Sequence, residues 1–297
     1  MVCDFDADGK LDTAQVGSEG YVVFYQTGKK SAPIPLGTSD PAWQVSQTFC
    51  GDFDGDGRVD LALSAANPEK PSTIRAYVLS QSESGTWKDP QQWVEMKVDE
   101  NGRSGEFLAG DWDGDDKTDL LLATSIHPEK ETPDAEGASR VLTGVPALST
   151  GKSFETGAVL ELTDVMLNEG DRGNTLADQD GMQAASVDVD GDGSDELVKI
   201  GLDGWHDTYS FSEGDWEISQ SSKTEFKDKG LLTRAASDVN GDHYGDVVAL
   251  DRDGMVVVYL GGEDGLADGV EWPQLSENET LESECAYGAS SPVSSIC

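Results

Sequence analysis

Five short segments of this 297-residue chain have the residue types and spacing to hold metal ions. They align without gaps: DFDADGKLD from Asp4, DFDGDGRVD from Asp52, DWDGDDKTD from Asp111, DVDGDGSDE from Asp188 and DVNGDHYGD from Asp238. Position 1 is Asp4, Asp52, Asp111, Asp188 and Asp238; position 3 is Asp6, Asp54, Asp113, Asp190 and Asn240. Position 5 is Asp8, Asp56, Asp115, Asp192 and Asp242; position 9 is Asp12, Asp60, Asp119, Glu196 and Asp246. Position 7, which is Lys10, Arg58, Lys117, Ser194 and Tyr244, would add a backbone carbonyl. Oxygens arriving from alternate positions of one short loop converge on one centre. Calcium takes six to eight oxygen ligands at flexible geometry, with water completing the shell. The expectation is up to five calcium ions.

The loops are unequal. Gly9, Gly57 and Gly193 at position 6 permit a sharp bend, whereas Asp116 and His243 stand there in the third and fifth loops. The first two loops match the pattern best, and the fifth, with three carboxylates, is expected to bind most weakly. A solvated acidic turn is the plain alternative for any single loop. Five copies argue against it, each with an apolar residue at position 2 (Phe5, Phe53, Trp112, Val189, Val239) that would anchor the loop in the core. An EF-hand needs a Glu at position 12 and flanking helices. Position 12 is Gln15, Leu63, Leu122, Lys199 and Ala249, and short apolar runs follow.

Strands must therefore position the loops. Runs of apolar residues bounded by Gly and Asp precede and follow each one. Further strands are expected at Tyr21–Tyr25, Ile74–Leu79, Trp93–Val98, Val159–Leu162, Thr208–Phe211, Trp216–Ser219 and Met255–Leu260. About four strands per unit is the content of a propeller blade. The expected architecture is an all-β, single-domain propeller with blades at 1–47, 48–106, 107–183, 184–233 and 234–297. Residues 127–139 read as a polar surface insertion. The segment 281–288 sits where a sixth inner strand would begin, so it either completes the first blade or opens a larger ring.

The DxDGDGxxD pattern between short strands, recurring at spacings of 48, 59, 77 and 50 residues from Asp4 to about Leu260, resembles the FG-GAP/VCBS repeat family. That family includes the propeller of integrin α-subunits, fungal propeller lectins and bacterial secreted proteins. The chain lacks literal Phe-Gly and Gly-Ala-Pro motifs, so it looks closest to the bacterial VCBS type. The resemblance implies a calcium-stabilised extracellular binding or adhesion module, with the metal ligands on the loop positions named above. It does not name the ligand.

Composition narrows the partners. There are 58 acidic and 20 basic residues, a formal net charge of −38. Nucleic acid and anionic membrane surfaces both select for Lys and Arg. A chain this negative repels itself, so bound cations are expected. No apolar run is long enough to span a membrane. Four cysteines without a CxxC pair fit two disulfides and an oxidising, extracellular compartment. Cys3 directly precedes its loop, and Cys50 lies one residue further back in the next repeat. That opposite parity suits neighbouring inner strands. The expected bonds are Cys3–Cys50 and Cys285–Cys297; a ring-closing Cys3–Cys285 bond is the rival. No signal peptide follows Met1, and a natural start that was trimmed or replaced is expected.

Catalytic signatures are weak. The three histidines, His127, His206 and His243, read as surface residues, and neither HExxH nor GxSxG occurs. Gly151-Lys152-Ser153 lacks the first Gly of a phosphate-binding loop, since Pro146 stands there. Paired carboxylates carry no weight among 58 acids. A lyase or hydrolase on a calcium propeller is the enzymatic alternative, and a structural subunit of a larger secreted assembly is a third. Of seven tryptophans, most suit blade packing. Trp205, in the expected turn segment Gly204-Trp205-His206-Asp207, is the one expected to be exposed for stacking on a sugar. Carbohydrate or an extracellular protein is the expected partner.

Overall fold

The computed structural model describes residues 2–8, 10–17, 20–34, 40–82, 84–97, 106–126, 141–161, 184–200, 205–223, 231–251, 256–267 and 269–271. These residues form 20 strands and no helix. The strands make five antiparallel sheets in chain order. The first holds β1 (Val2–Cys3), β2 (Asp12–Gly17) and β3 (Gly20–Phe24). The second holds β4 (Gln44–Gly51), β5 (Asp60–Ala66), β6 (Thr73–Leu79) and β7 (Gln91–Lys97). The third runs from β8 (Glu106–Gly110) through β9 (Asp119–Ile126) and β10 (Val141–Ser149) to β11 (Phe154–Thr156), with β12 (Leu160–Glu161) also paired to β10. The fourth holds β13 (Ala184–Val187), β14 (Glu196–Ile200), β15 (Trp205–Ser212) and β16 (Asp215–Lys223). The fifth holds β17 (Leu231–Ser237), β18 (Asp246–Asp251), β19 (Val256–Tyr259) and β20 (Val270–Glu271). Four of these sheets are complete blades of a β-propeller. Each expected strand appears within a few residues of its place.

The innermost strands lie side by side: β1 beside β4, β4 beside β8, β8 beside β13 and β13 beside β17. Cys3 of β1 and Cys50 of β4 form a disulfide across the first of these junctions. Cys285 and Cys297 lie outside the described residues, as do the segments 127–139 and 281–288, His127, Trp272 and Gly9.

Because strand side chains alternate, the second, third and fourth sheets each bury one face toward the preceding sheet and one toward the following sheet. Four apolar clusters fill the four junctions. Between the first and second sheets, Phe5, Val23 and Trp43 meet Leu61, Leu63 and Tyr77. Between the second and third, Phe53, Val78 and Met96 meet Phe107, Leu120 and Phe154. Trp112 and Leu121 meet Leu197, Tyr209 and Trp216 at the next junction. At the last, Val189 and Val198 meet Val247, Val257 and Tyr259. The position-2 side chain thus anchors its loop against the following sheet, not within its own. Phe5, Phe53, Trp112 and Val189 are at most 2% exposed. Val239 departs from the expectation at 41%, because no following sheet covers it among the described residues.

Two expectations about the fourth sheet need correction. Trp205 is not in a turn: it is the first residue of β15, paired with Lys223 of β16. His206 is not at the surface: it is fully buried, with its ring 5.6 Å from that of Tyr259 in the next sheet. His243 is exposed in its loop.

Candidate metal centres

Each acidic loop connects the first and second strands of its sheet, and position 9 is the first residue of the second strand. Three features of the chain shape the loop. The position-1 carboxylate accepts backbone N–H bonds from the loop it opens. Asp52 Oδ1 accepts from Gly55 and Asp56, and its Oδ2 from Gly57, at 2.7 to 3.1 Å. Asp111, Asp188 and Asp238 repeat the arrangement. The position-5 carboxylate accepts from the N–H of position 7, as in Arg58 to Asp56 and Ser194 to Asp192. Finally, positions 4 and 6 both adopt positive φ. Gly55, Gly114, Gly191 and Gly241 do so at position 4, and Gly57 and Gly193 at position 6. The sequence reading identified the demand at position 6 and missed the one at position 4. Ala7, Asp116 and His243 hold the same left-handed backbone with a side chain attached.

The resulting carboxylates converge. Four groups of three have ligand atoms within 4.8 Å of one another: Asp4, Asp6 and Asp8; Asp52, Asp54 and Asp60; Asp111, Asp113 and Asp115; Asp188, Asp190 and Glu196. Each is an all-oxygen set, which suits a hard divalent cation. The fifth loop is not among these groups. It brings Asp238, Asp242 and Asp246 with Asn240, whose side-chain amide donates to Asp242 at 2.8 Å.

Position 9 has a second role that the loop pattern alone does not reveal. Asp12 accepts from Phe5 N–H with one oxygen and Gln26 N–H with the other. Asp119 accepts from Trp112 and Ser149 in the same way, and Asp246 from Val239 and Gly261. In these three loops the residue staples position 2 to the backbone at the end of the third strand or just beyond it. In the first and third loops it is outside the converging triplet, so there it serves the scaffold first.

Burial makes these acids costly when ionised. It is the main reason Asp60 and Asp119 are each pushed up to about 7 and Glu196 to about 8. Asp6, Asp54, Asp111, Asp113 and Asp190 are raised as well, again first by burial. Asp238 is lowered, chiefly by the backbone N–H of His243. In the second loop, Asp54 Oδ1 and Asp60 Oδ1 are buried without a hydrogen-bond donor. A buried, partnerless carboxylate oxygen is what a bound cation would satisfy. The donor sets therefore fit a divalent metal. Position-7 cations fold back on the position-5 acids: Lys10 to Asp8, Arg58 to Asp56 and Lys117 to Asp115.

The loops also bond to one another. Backbone N–H groups at position 8 donate to the position-1 carbonyl of the preceding loop: Thr118 to Asp52, Asp195 to Asp111 and Gly245 to Asp188. Asp195 carries a carboxyl into this seam, where it accepts from Asp111 N–H, and burial raises it to about 6.

Comparison with known proteins places part of the chain. No curated protein matches it. Among solved structures it is similar to the rhamnogalacturonan lyase YesW, at 17% identity and a TM-score of 0.44, covering 80% of this chain and 50% of that one. It is similar to Bacillus licheniformis rhamnogalacturonan lyase PL11, at 15% and 0.44, over 86% and 60% of the two chains. It is also similar to the Aleuria aurantia lectin in complex with alpha-methyl-L-fucoside, at 11% and 0.40, over 91% and 72%. The chain thus spans about half the length of the first lyase, and no residue role is taken from any of the three. The sequence pattern of the FG-GAP-like repeat matches twice, over residues 4–63 and 52–122. Each matched stretch begins at the first residue of an acidic loop and runs through the next, so residues 4–122 are FG-GAP-like repeats, consistent with the FG-GAP/VCBS family.

Proposed function

We propose that this chain is a secreted, calcium-stabilised binding module, a single propeller domain that recognises a carbohydrate or protein ligand and performs no chemistry of its own. The observation that carries this reading is the fourfold recurrence of three converging carboxylates at the junctions between sheets. Each triplet belongs to a loop whose position-2 residue packs on the next sheet, and three loops also bond to their neighbours' backbone. The triplets are therefore parts of the scaffold. The Asp4, Asp52, Asp111 and Asp188 loops would hold the ions, and the Asp238 loop would hold a fifth more weakly. Bound calcium would supply positive charge that relieves repulsion among the carboxylates of each loop. The Cys3–Cys50 disulfide supports an oxidising compartment, and the charge of −38 supports a partner other than nucleic acid.

The test is twofold. Calcium content and affinity are read by calorimetry and elemental analysis on the intact chain. A glycan array and a pull-down of extracellular proteins are then run with calcium-loaded protein beside a polysaccharide-degradation assay. Four or five ions per chain with ligand capture and no depolymerisation supports the reading. Fewer than two ions, or turnover of a polysaccharide, overturns it.

A further inference from the structure

At each of the four junctions between sheets, the later sheet grips the earlier loop at a ligand or at a residue flanking ligands. Ser149, the last residue of β10, holds both loops of its junction. Its Oγ donates to Phe53 O at 2.6 Å. Phe53 lies between Asp52 and Asp54, two of the converging carboxylates of the second loop. The N–H of Ser149 donates to Asp119 Oδ1 at 2.6 Å, and Asp119 Oδ2 accepts from Trp112 N–H. Trp112 lies between Asp111 and Asp113, two of the converging carboxylates of the third loop. Ser149 is 5% exposed, so water competes little for these bonds.

The other junctions make the corresponding contact with different groups. At the first, the buried side-chain amide of Gln81 donates to Phe5 O, between Asp4 and Asp6, and to Val59 O, beside Asp60. At the third, Asp195 N–H donates to Asp111 O, and Asp111 N–H donates back to Asp195 Oδ2. At the last, Gly262 N–H donates to Val189 O, between Asp188 and Asp190. Its neighbour Gly261 donates to Asp246, which accepts from Val239 N–H in the fifth loop. A hydroxyl, an amide, a carboxylate and a backbone N–H thus serve one placement.

We propose that metal binding is positively coupled between neighbouring loops, and that Ser149 is the positioning residue that couples the second loop to the third. The inference rests on the calcium-scaffold reading and adds the regulation of those sites. Closing the second loop on an ion fixes the backbone between its position-1 and position-3 ligands, and with it the Phe53 carbonyl. That carbonyl holds the Ser149 hydroxyl, and the Ser149 backbone holds Asp119 and so Trp112. The third loop then has less conformational freedom left to lose when it closes. Such coupling is reciprocal and typically changes affinity about 5- to 150-fold. Repulsion between bound ions has the opposite sign, since emptying one loop would then strengthen its neighbour.

The test uses the full chain and reads calcium binding loop by loop, by hydrogen–deuterium exchange against calcium concentration. The reporters are the amides that donate to position 1: Gly114 and Asp116 in the third loop, Gly241 and His243 in the fifth. Asp54→Asn, which removes a carboxylate from the second loop, is expected to raise the calcium concentration that protects the third loop about tenfold. The distant fifth loop is expected to move by about twofold at most. In a Ser149→Ala background the same substitution is expected to shift the third loop by about threefold or less, because one hydrogen bond of the path is gone and no ligand has changed. Ser149→Thr, which keeps the hydroxyl, is expected to retain the tenfold effect. A third loop indifferent to Asp54→Asn, a third loop that binds more tightly with it, or a tenfold effect that survives Ser149→Ala overturns the proposal. Should Ser149→Ala not fold, Asp54→Asn alone against the unaltered chain decides the coupling. Calcium taken up without coupling leaves the scaffold reading standing, whereas a chain that takes up no calcium removes both.

Discussion

Asp116 occupies position 6 of the third loop at a φ of 63°, where the second and fourth loops place Gly57 and Gly193. The left-handed backbone costs an L-residue about 1 to 2 kcal/mol. Asp116→Gly should therefore stabilise the protein by about 1 kcal/mol, read as a higher denaturation midpoint in urea with calcium present. The two kinds of acid in the same loop should separate under mutation. Asp119 staples the N–H groups of Trp112 and Ser149. Asp119→Asn should cost about 1 to 3 kcal/mol with or without calcium, since a buried donor loses its acceptor. Asp113 converges with Asp111 and Asp115 and is raised by burial and by Asp115. Asp113→Asn should weaken calcium binding while leaving metal-free stability unchanged or slightly higher. At this scale the ligand positions were legible, because they are local and periodic. The staple was not, because Ser149 lies 30 residues beyond Asp119 and only the fold brings it near. The positive φ at position 4 was there to be read in Gly55, Gly114, Gly191 and Gly241, whose recurrence carries the same message as that of position 6.

At the scale of elements, the seams between loops set the tolerance for change. Position 8 of the fifth loop is Gly245, and a Cβ added there would lie 2.1 Å from Val187 Cγ2 and 2.6 Å from the backbone oxygen of Asp188. The backbone oxygen cannot withdraw without shifting the neighbouring loop. Gly245→Ala should cost about 2 kcal/mol or more, measured by thermal unfolding. The first seam is covalent. Cys3–Cys50 closes a loop with a sequence separation of 47, and loss of that cross-link should cost about 4 kcal/mol by chain entropy. Melting of a Cys3→Ser, Cys50→Ser double variant checks this. Most strands were legible from short apolar runs between Gly and Asp. The start of β15 was not: the turn read over Gly204–Asp207 ran three residues too far, and so Trp205, His206 and Asp207 were expected outside a strand. The burial of His206 depends on Tyr259 of the next sheet, which no local pattern reveals.

At the scale of the molecule, the charge of −38 and the buried acids act together. Asp60, Asp119 and Glu196 have folded-state values of about 7, 7 and 8, well above the ordinary carboxylate range. Without metal, the folded chain therefore holds more protons than the unfolded chain between about pH 4 and 8. Stability is greatest below the unfolded values and is lost as pH rises through the folded ones. Metal-free protein should melt higher near pH 5 than near pH 8. Calcium should reverse that order, since it binds the ionised carboxylates. The repeated-sheet architecture was legible from five aligned loops. The covering of Val239 was not, because it depends on a neighbouring sheet and not on its own repeat. The central claim is that calcium is part of the scaffold. The most direct measurement is the melting temperature near pH 7.5, first with millimolar calcium, then after chelation, then with calcium restored. A large drop on chelation that is fully recovered by calcium is the expected result, as for any ligand bound only by the folded state. A melting temperature unchanged by chelation, in protein shown to have lost its metal, would contradict the account.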